Sequence, residues 1–195
     1  ELLFPLLRYY ARDQVLAVRA AVLSGLPYLT FKRHEWGWQL FDDIFREQQT
    51  LLWPLAERQL YYQYKEHFDK VAPCLERIKY EAAKEAGDTW GRITALSHLS
   101  GRMTQDSLYE QLEKMNNPKA WKGVVEVFVA NLDQYHKLCM QGLFRILEKD
   151  GVDNDILRVV ARAFASEKHG RLIDSHFAIR FIEAMKFDAN SNNLS

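Results

Sequence analysis

The sequence predicts an all-α protein, arranged as a right-handed α-solenoid of about five antiparallel helix pairs. Three observations lead to this prediction. Apolar residues recur at helical spacing almost throughout the 195 residues. Only five prolines and nine glycines interrupt the pattern, and they leave short connections between helices. A motif of acidic, basic and small residues recurs along the chain, which is typical of stacked helix pairs.

In the first half of the chain, the spacing assigns apolar faces to three segments. DQVLAVRAAVLSGLPYL at 13–29 predicts a mostly apolar helix. In WGWQLFDDIFREQ the apolar residues share one face, and we expect the opposite, solvated face to carry Asp42, Asp43, Arg46 and Glu47. TLLWPLAERQLYYQY predicts a helix over 51–64 that buries Leu51, Leu52, Leu55 and Leu60.

Start signals support the later helices. VVEVFVANL at 124–132 is rich in β-branched residues and fits a strand when taken alone, but its flanks favour a buried helix. Thr104 is expected to cap one helix, and Asn117 before the proline at 118 another. Asp88 or Thr89 is expected to cap the helix that opens at position 90. The result is about ten helices.

The recurring motif begins with an aspartate, continues with an arginine and a small residue, and ends with two leucines. Its fullest version contains Asp13 and Arg19, and a compressed version contains Asp88 and Arg92. Weaker versions have Lys122 in place of the arginine, or combine Asp153 with Arg158. The later intervals of roughly thirty to forty residues match the period of stacked helix pairs.

DQVLAVRAAVLSGLPYL resembles the second helix of a HEAT repeat, with Pro27 where that family often has glycine. The resemblance implies that Asp13, Arg19, Asp88 and Arg92 tie neighbouring repeats together. The whole chain is also similar to the helical repeat region of large bacterial proteins with a STAND-type NTPase module, several of which are defence sensors. We therefore expect a single helical-repeat domain over 1–187, cut from a longer protein, followed by a polar tail over 188–195.

Charge and composition limit the classes of partner. Basic and acidic residues number 26 each, which weighs against a general nucleic-acid binder. No apolar run is long enough to span a membrane, and no signal peptide is expected. Cys74 and Cys139 have no CxxC companion, so we expect two reduced thiols in a cytoplasmic protein. The expected partner is another protein or a neighbouring domain of the same polypeptide.

Catalytic signatures are weak. The sequence has no phosphate-binding glycine loop, no GxSxG and no HExxH, so we expect no enzyme, cofactor or metal. The alternative is a HEPN-like ribonuclease, because RLIDSH places Arg171 near His176 and RITALSH places Arg92 near His98, each pair expected on one helix. A HEAT-like nucleic-acid-binding domain is a further alternative, since a neutral total charge can conceal a basic patch.

Three tyrosines within four positions mark the candidate binding surface. Tyr61, Tyr62 and Tyr64 cannot all face the core of one helix, so at least one is expected on the surface. Arg58 lies on the same predicted helix. Tyrosine and arginine are favoured at interface hot spots, so these four residues are the predicted binding site.

Overall fold

The structure, a computed structural model, describes residues 3–47, 49–149 and 152–191, with side chains as far as residue 186. These residues form helices joined by short loops, and none of them lies in a β-strand. The all-α class predicted from the sequence is therefore confirmed. Within these ranges, every helix is too short or too polar to cross a lipid bilayer.

The chain divides into two compact units, Glu1–Ile93 and Thr94–Ser195. The first unit contains α1 (Leu3–Ala11), α2 (Leu16–Lys32), α3 (His34–Ile44), a 3-10 segment (Thr50–Ala56), α4 (Glu57–Gln63), α5 (Phe68–Glu81) and most of α6 (Ala83–Leu99). The second unit contains the end of α6, α7 (Gln105–Met115), α8 (Pro118–Ala130), α9 (His136–Leu147), α10 (Asn154–Ala165), α11 (Glu167–Gly170) and α12 (Ser175–Ser191). One repeat domain over 1–187 stays a prediction, because an array of neighbouring repeats also divides into compact parts.

Helices α2 and α3 form a close hairpin with Arg33 as the only residue between them. Their packing depends on Gly37, because a Cβ at this position would lie 2.0 Å from Thr30 Oγ1 and 2.7 Å from Thr30 Cα. Helix α2 continues through Pro27 to Lys32. The absence of a side chain at Gly37 therefore sets how closely the two helices approach.

Asp43 is buried, although the sequence placed it on the solvated face of α3. Arg8 Nε donates to Asp43 Oδ2 at 2.7 Å, and Arg12 donates to Asp43 Oδ1 through Nε at 2.9 Å and Nη2 at 2.6 Å. The two arginines come from α1 and the turn that follows it. The expectation was wrong because two guanidinium groups satisfy this carboxylate inside the fold, which helix spacing cannot reveal.

Residues 50–63 form a 3-10 segment followed by α4, rather than one α-helix over 51–64. A 3-10 helix has three residues per turn, so side chains three apart lie on one face. Trp53 and Ala56 are buried on this spacing, together with Leu52. Leu51 and Leu55 are exposed, contrary to the expectation.

The helix caps predicted from the sequence at Thr104 and Asn117 are confirmed in the second unit. Thr104 accepts a hydrogen bond from the Ser107 amide at the start of α7, and Asn117 accepts one from the Lys119 amide at the start of α8. The valine-rich segment is helical and buried, as the flanks indicated. Helix α12 extends to Ser191, into the expected tail over 188–195, and residues 192–195 lie outside the described part of the chain.

Helix α6 begins earlier than the sequence indicated. It starts at Ala83 and is interrupted at Ala86, whose φ of −122° and ψ of 23° are not helical. Asp88 Oδ1 accepts a hydrogen bond from the Thr89 amide just after this interruption. The helix start expected at position 90 was therefore wrong, because the residues on both sides of the interruption belong to α6.

Candidate binding groove

Two helices of the first unit, α2 and α4, bury some polar side chains and expose aromatic ones. On α2, Thr30 is buried whereas Tyr28 and Phe31 are exposed. On α4, Gln59 is buried whereas Tyr62 is exposed. Because isolated exposed apolar residues are common, the informative feature is that exposed aromatic rings and buried polar groups occur together.

The exposed rings border a groove of about 540 Å³, which we call the aromatic groove. Its volume lies in the range of typical ligand sites. All of its lining residues belong to the first unit and come from α2, α3, α4 and the loop before α5: Pro27, Tyr28, Thr30, Phe31, His34, Arg58, Tyr62, Gln63, Glu66 and His67.

Three aromatic side chains form the apolar part of the groove. Tyr28 is 71% exposed, Phe31 79% and Tyr62 57%. Tyr28 and Phe31 lie three residues apart on one face of α2, which brings their rings to the same side. Transfer of an aromatic side chain out of water is worth about 1.5–3 kcal/mol, so a partner that covers these rings would gain substantial binding energy.

Two buried polar side chains, Thr30 and Gln63, line the groove, and Gln59 lies behind Thr30. Gln59 Nε2 donates to Thr30 Oγ1 at 2.9 Å, and Thr30 Oγ1 donates to the Leu26 carbonyl at 2.8 Å. Gln63 lines the groove and is only 7% exposed, and its Oε1 has no hydrogen-bond partner among the described residues. A buried acceptor without a donor is costly, so Gln63 lowers the stability of this part of the first unit.

Two histidines stand next to each other at one side of the groove. The ring centroids of His34 and His67 are 4.1 Å apart, with 42° between the planes. His34 is the first residue of α3, and His67 immediately precedes α5. The pair places two polar rings beside the exposed aromatic ones.

Charged groups flank the rings. Lys32 Nζ lies 5.1 Å from the centroid of the Phe31 ring and 5.9 Å from that of Tyr28. Arg58 lines the groove from α4, and Glu66 is the one carboxylate among its described lining residues. No described carboxylate lies within ion-pair distance of Lys32 or Arg58.

The predicted binding residues occupy different places. Arg58 and Tyr62 line the groove. Tyr61 is exposed beside it, with its ring centroid 5.6 Å from that of Tyr62 and 6.0 Å from that of Tyr64. Tyr64 follows the end of α4 and is half-buried. The expected exposure of at least one of these tyrosines is confirmed, and their role in recognition stays a prediction.

Sequence reasoning missed Tyr28, Phe31 and the histidine pair. The spacing of Tyr28 and Phe31 was a visible signal, because two aromatic residues three apart share a helix face. Which face of α2 is buried was not visible, since Leu26 and Leu29 border the same rings in sequence. His34 and His67 are 33 positions apart and meet only through the tertiary structure.

Asp13 and Arg19, the first pair of the recurring motif, contact different groups. Arg19 is buried, and its Nη1 donates to the Ile44 carbonyl at the end of α3 at 3.3 Å. Asp13 Oδ1 accepts from the Val15 amide at 2.8 Å, ahead of α2. Arg19 therefore links α2 to a neighbouring helix, whereas Asp13 shapes the turn before α2.

In the second pair, Asp88 and Arg92, the arginine links α6 to α4. Arg92 donates to both carboxylate oxygens of Glu57, at 2.8 and 2.5 Å, and to Asp88 Oδ2 at 3.1 Å. Thr89 Oγ1 also donates to Glu57, at 2.9 Å. Glu57 is the first residue of α4 and follows directly on the 3-10 segment. In contrast, Arg158 bonds to Asp155 within its own helix.

The two arginine–histidine pairs of the ribonuclease alternative have other partners. Arg171 lies after α11 and donates to Glu167 at 2.6 Å, whereas His176 lies on α12 against Phe144. Their expected position on one helix was wrong, because a loop separates them. His98 is buried, with Nδ1 3.1 Å from the Met103 carbonyl.

Both cysteines are free and buried. Burial raises the pKa of the Cys74 thiol and that of the Cys139 thiol to about 12. Such thiols are poor nucleophiles at neutral pH. Among the described residues, no group of three or more histidine, cysteine, aspartate and glutamate side chains is arranged to hold a metal ion.

A second depression, of about 670 Å³, lies along α1 and the turn after it. Arg8 and Arg12 line it, but both already bind Asp43. Asp13 adds a further negative charge to its wall. The aromatic groove is therefore the better candidate site, because Arg58 on its wall and Lys32 beside its rings have no carboxylate partner in the described residues.

Comparison with models of known protein families, with curated proteins and with solved structures finds no match to this chain.

Proposed function

We propose that this chain is a protein-recognition module built from helical repeats, without catalysis of its own, and that it binds its partner at the aromatic groove. The observation that carries the proposal is the set of exposed rings of Tyr28, Phe31 and Tyr62 around one cavity. The partner is a separate protein or a neighbouring domain of the same polypeptide. A cytoplasmic scaffold or sensor role fits the resemblance to STAND-associated repeat regions.

The composition of the groove supports a protein partner. Tyrosine and arginine are enriched at interface hot spots, where large side chains are covered and water is excluded. Tyr62 and Arg58 lie on the groove wall, and Tyr61 extends the same surface. Tyr64 supports Tyr61 from the end of α4. In this proposal Tyr62 and Arg58 contact the partner, and Tyr61 and Tyr64 contribute at the edge.

A HEAT-like repeat architecture is part of the proposal. The contact of Arg92 with Glu57 joins residues 35 positions apart, which is close to one repeat length. The contact of Arg19 with the Ile44 carbonyl joins α2 to the end of α3. Solution scattering tests the solenoid, because an array gives a radius of gyration clearly above the about 16 Å expected for a globule of this length.

Peptide display tests the proposed function. A library of random peptides is selected on the purified chain, and the enriched peptides are then measured on Tyr62→Ala and on Tyr80→Ala. Tyr80 is exposed on α5 and does not line the groove, so it is a matched control. We expect binding to fall at least tenfold on Tyr62→Ala and to stay unchanged on Tyr80→Ala. Equal behaviour of the two variants would contradict the proposal.

A further inference from the structure

We infer that the segment bound by the aromatic groove is a short acidic peptide that carries an aromatic or aliphatic anchor residue. This inference rests on the proposed function and adds the chemistry of the partner. The anchor covers the rings of Tyr28, Phe31 and Tyr62, and the acidic side chains pair with Lys32 and Arg58.

The charge of the groove supports an acidic ligand. Lys32 and Arg58 are exposed cations beside the rings, whereas Arg8, Arg12, Arg77 and Arg92 in the same unit are paired with carboxylates. Arg58 and Glu66 on the wall of the groove balance each other, and Lys32, which lies beside the rings of Tyr28 and Phe31, adds a positive charge. Such complementarity selects partners and speeds their association more than it raises affinity.

The lysine also restricts where a carboxylate can bind. Its Nζ is held within 5.1 Å of the Phe31 ring centroid and 5.9 Å of the Tyr28 centroid. A carboxylate that pairs with this ammonium group therefore lies directly next to two apolar surfaces. A peptide with an acidic residue adjacent to its anchor residue matches both features at once.

The small number of cations favours a peptide over a nucleic acid. Nucleobases could stack on the exposed rings, and phosphates could pair with Lys32 and Arg58. Affinity for a nucleic-acid backbone, however, comes from many lysine and arginine contacts to phosphates. The wall of the groove carries Arg58 and also Glu66, and Lys32 lies beside the Phe31 ring. These charges therefore favour a short peptide with few acidic residues.

The test uses the peptides enriched by display on the full chain. We expect those that depend on Tyr62 to carry a net negative charge and at least one aromatic or aliphatic residue. Fluorescein-labelled copies should bind Lys32→Glu and Arg58→Glu at least tenfold more weakly than the unmodified chain. Arg158→Glu is the control, because Arg158 is an exposed arginine of the second unit. Circular dichroism checks that each variant is folded.

The outcomes separate the two proposals. Enriched peptides that need Tyr62 but are neutral or basic, or that ignore both charge reversals, would overturn this inference and leave the proposed function intact. An absence of peptides that depend on Tyr62 would overturn both. A labelled single-stranded oligonucleotide of mixed sequence is measured in parallel. If it binds through Tyr62 more tightly than the acidic peptides, a nucleic-acid ligand replaces the peptide.

Discussion

The two units of this protein differ in what they bury and what they expose. Of the sixteen large apolar side chains that are exposed in the described part of the chain, twelve lie in the unit Glu1–Ile93. The unit Thr94–Ser195 exposes few of them, and its core contains Val124, Phe128 and Leu143. The first unit therefore offers apolar surface to a partner, whereas the second keeps most of its apolar surface inside.

Buried polar side chains occur in both units, but the larger ones are mostly in the first. Arg19, Asp43, Gln59 and Gln63 are buried in the first unit, whereas the second buries Thr94, Ser97 and His98. The buried side-chain atoms that lack a hydrogen-bond partner, such as Gln63 Oε1 and Arg19 Nε, lie in the first unit, and none is found among the described side chains of the second unit. A unit that keeps unsatisfied groups and exposed rings loses stability but gains a surface for recognition.

Gly37→Ala tests the packing of the first unit and should have the largest effect. The added Cβ would lie 2.7 Å from the backbone Cα of Thr30, so the two helices must move apart. We expect the free energy of unfolding to fall by about 3 kcal/mol, measured by urea denaturation. The control is Gly25→Ala on α2, where the Cβ meets no atom within 4 Å. This change should stabilise the protein by about 0.5–1 kcal/mol, and equal effects of both changes would contradict the prediction.

Asp43→Ala tests whether the first unit depends on polar tertiary contacts. The substitution leaves Arg8 and Arg12 without their shared carboxylate. Both arginines are partly exposed, so the expected loss is about 2 kcal/mol rather than the larger cost of a fully buried pair. Asp42→Ala, at the neighbouring exposed position, should change the unfolding free energy by less than about 0.5 kcal/mol. A similar loss for both variants in urea denaturation would refute the role of the arginine contacts.

Gly142→Ala is the corresponding change in the second unit, with a smaller expected effect. Its Cβ would lie 2.3 Å from Phe128 Cε2, an atom of a side chain that can shift. We expect a loss of about 1–2 kcal/mol in urea denaturation. The double variant Gly142→Ala with Phe128→Leu should show a favourable coupling energy in a double-mutant cycle, because the smaller side chain removes the clash. Strict additivity would argue against this contact.

Thiol labelling compares the burial of one cysteine in each unit and requires no substitution. Burial raises the pKa of Cys74 and of Cys139 from 9.0 to about 12, so both thiols are protonated at pH 8 in the folded protein. The raised pKa values mean that their contribution to stability is fully present below pH 9 and is lost as pH rises toward 12. With iodoacetamide at pH 8, followed by mass spectrometry, we expect slow labelling and a faster rate at Cys74. Rates equal to those in urea would contradict the burial of these thiols.

Local features of the fold were predictable from the sequence. Thr104 and Asn117 cap their helices because the groups that they satisfy lie two or three residues away. A small part of the candidate site was also predictable, since Arg58 and Tyr62 are two of its ten lining residues. Tyr28 was missed, because periodicity gives the spacing of a helix face but does not state which face is buried when both contain apolar residues.

The sequence by itself determined that this protein is helical, where α7 and α8 begin, and that tyrosines of α4 lie on the surface. These properties depend on interactions within a few residues. Only the tertiary structure decided that Asp43 is buried, that Arg92 binds Glu57, and that α2 turns its aromatic rings outward. Each of these outcomes depends on groups about 30 positions away in the chain, and their positions follow from packing the helices against one another.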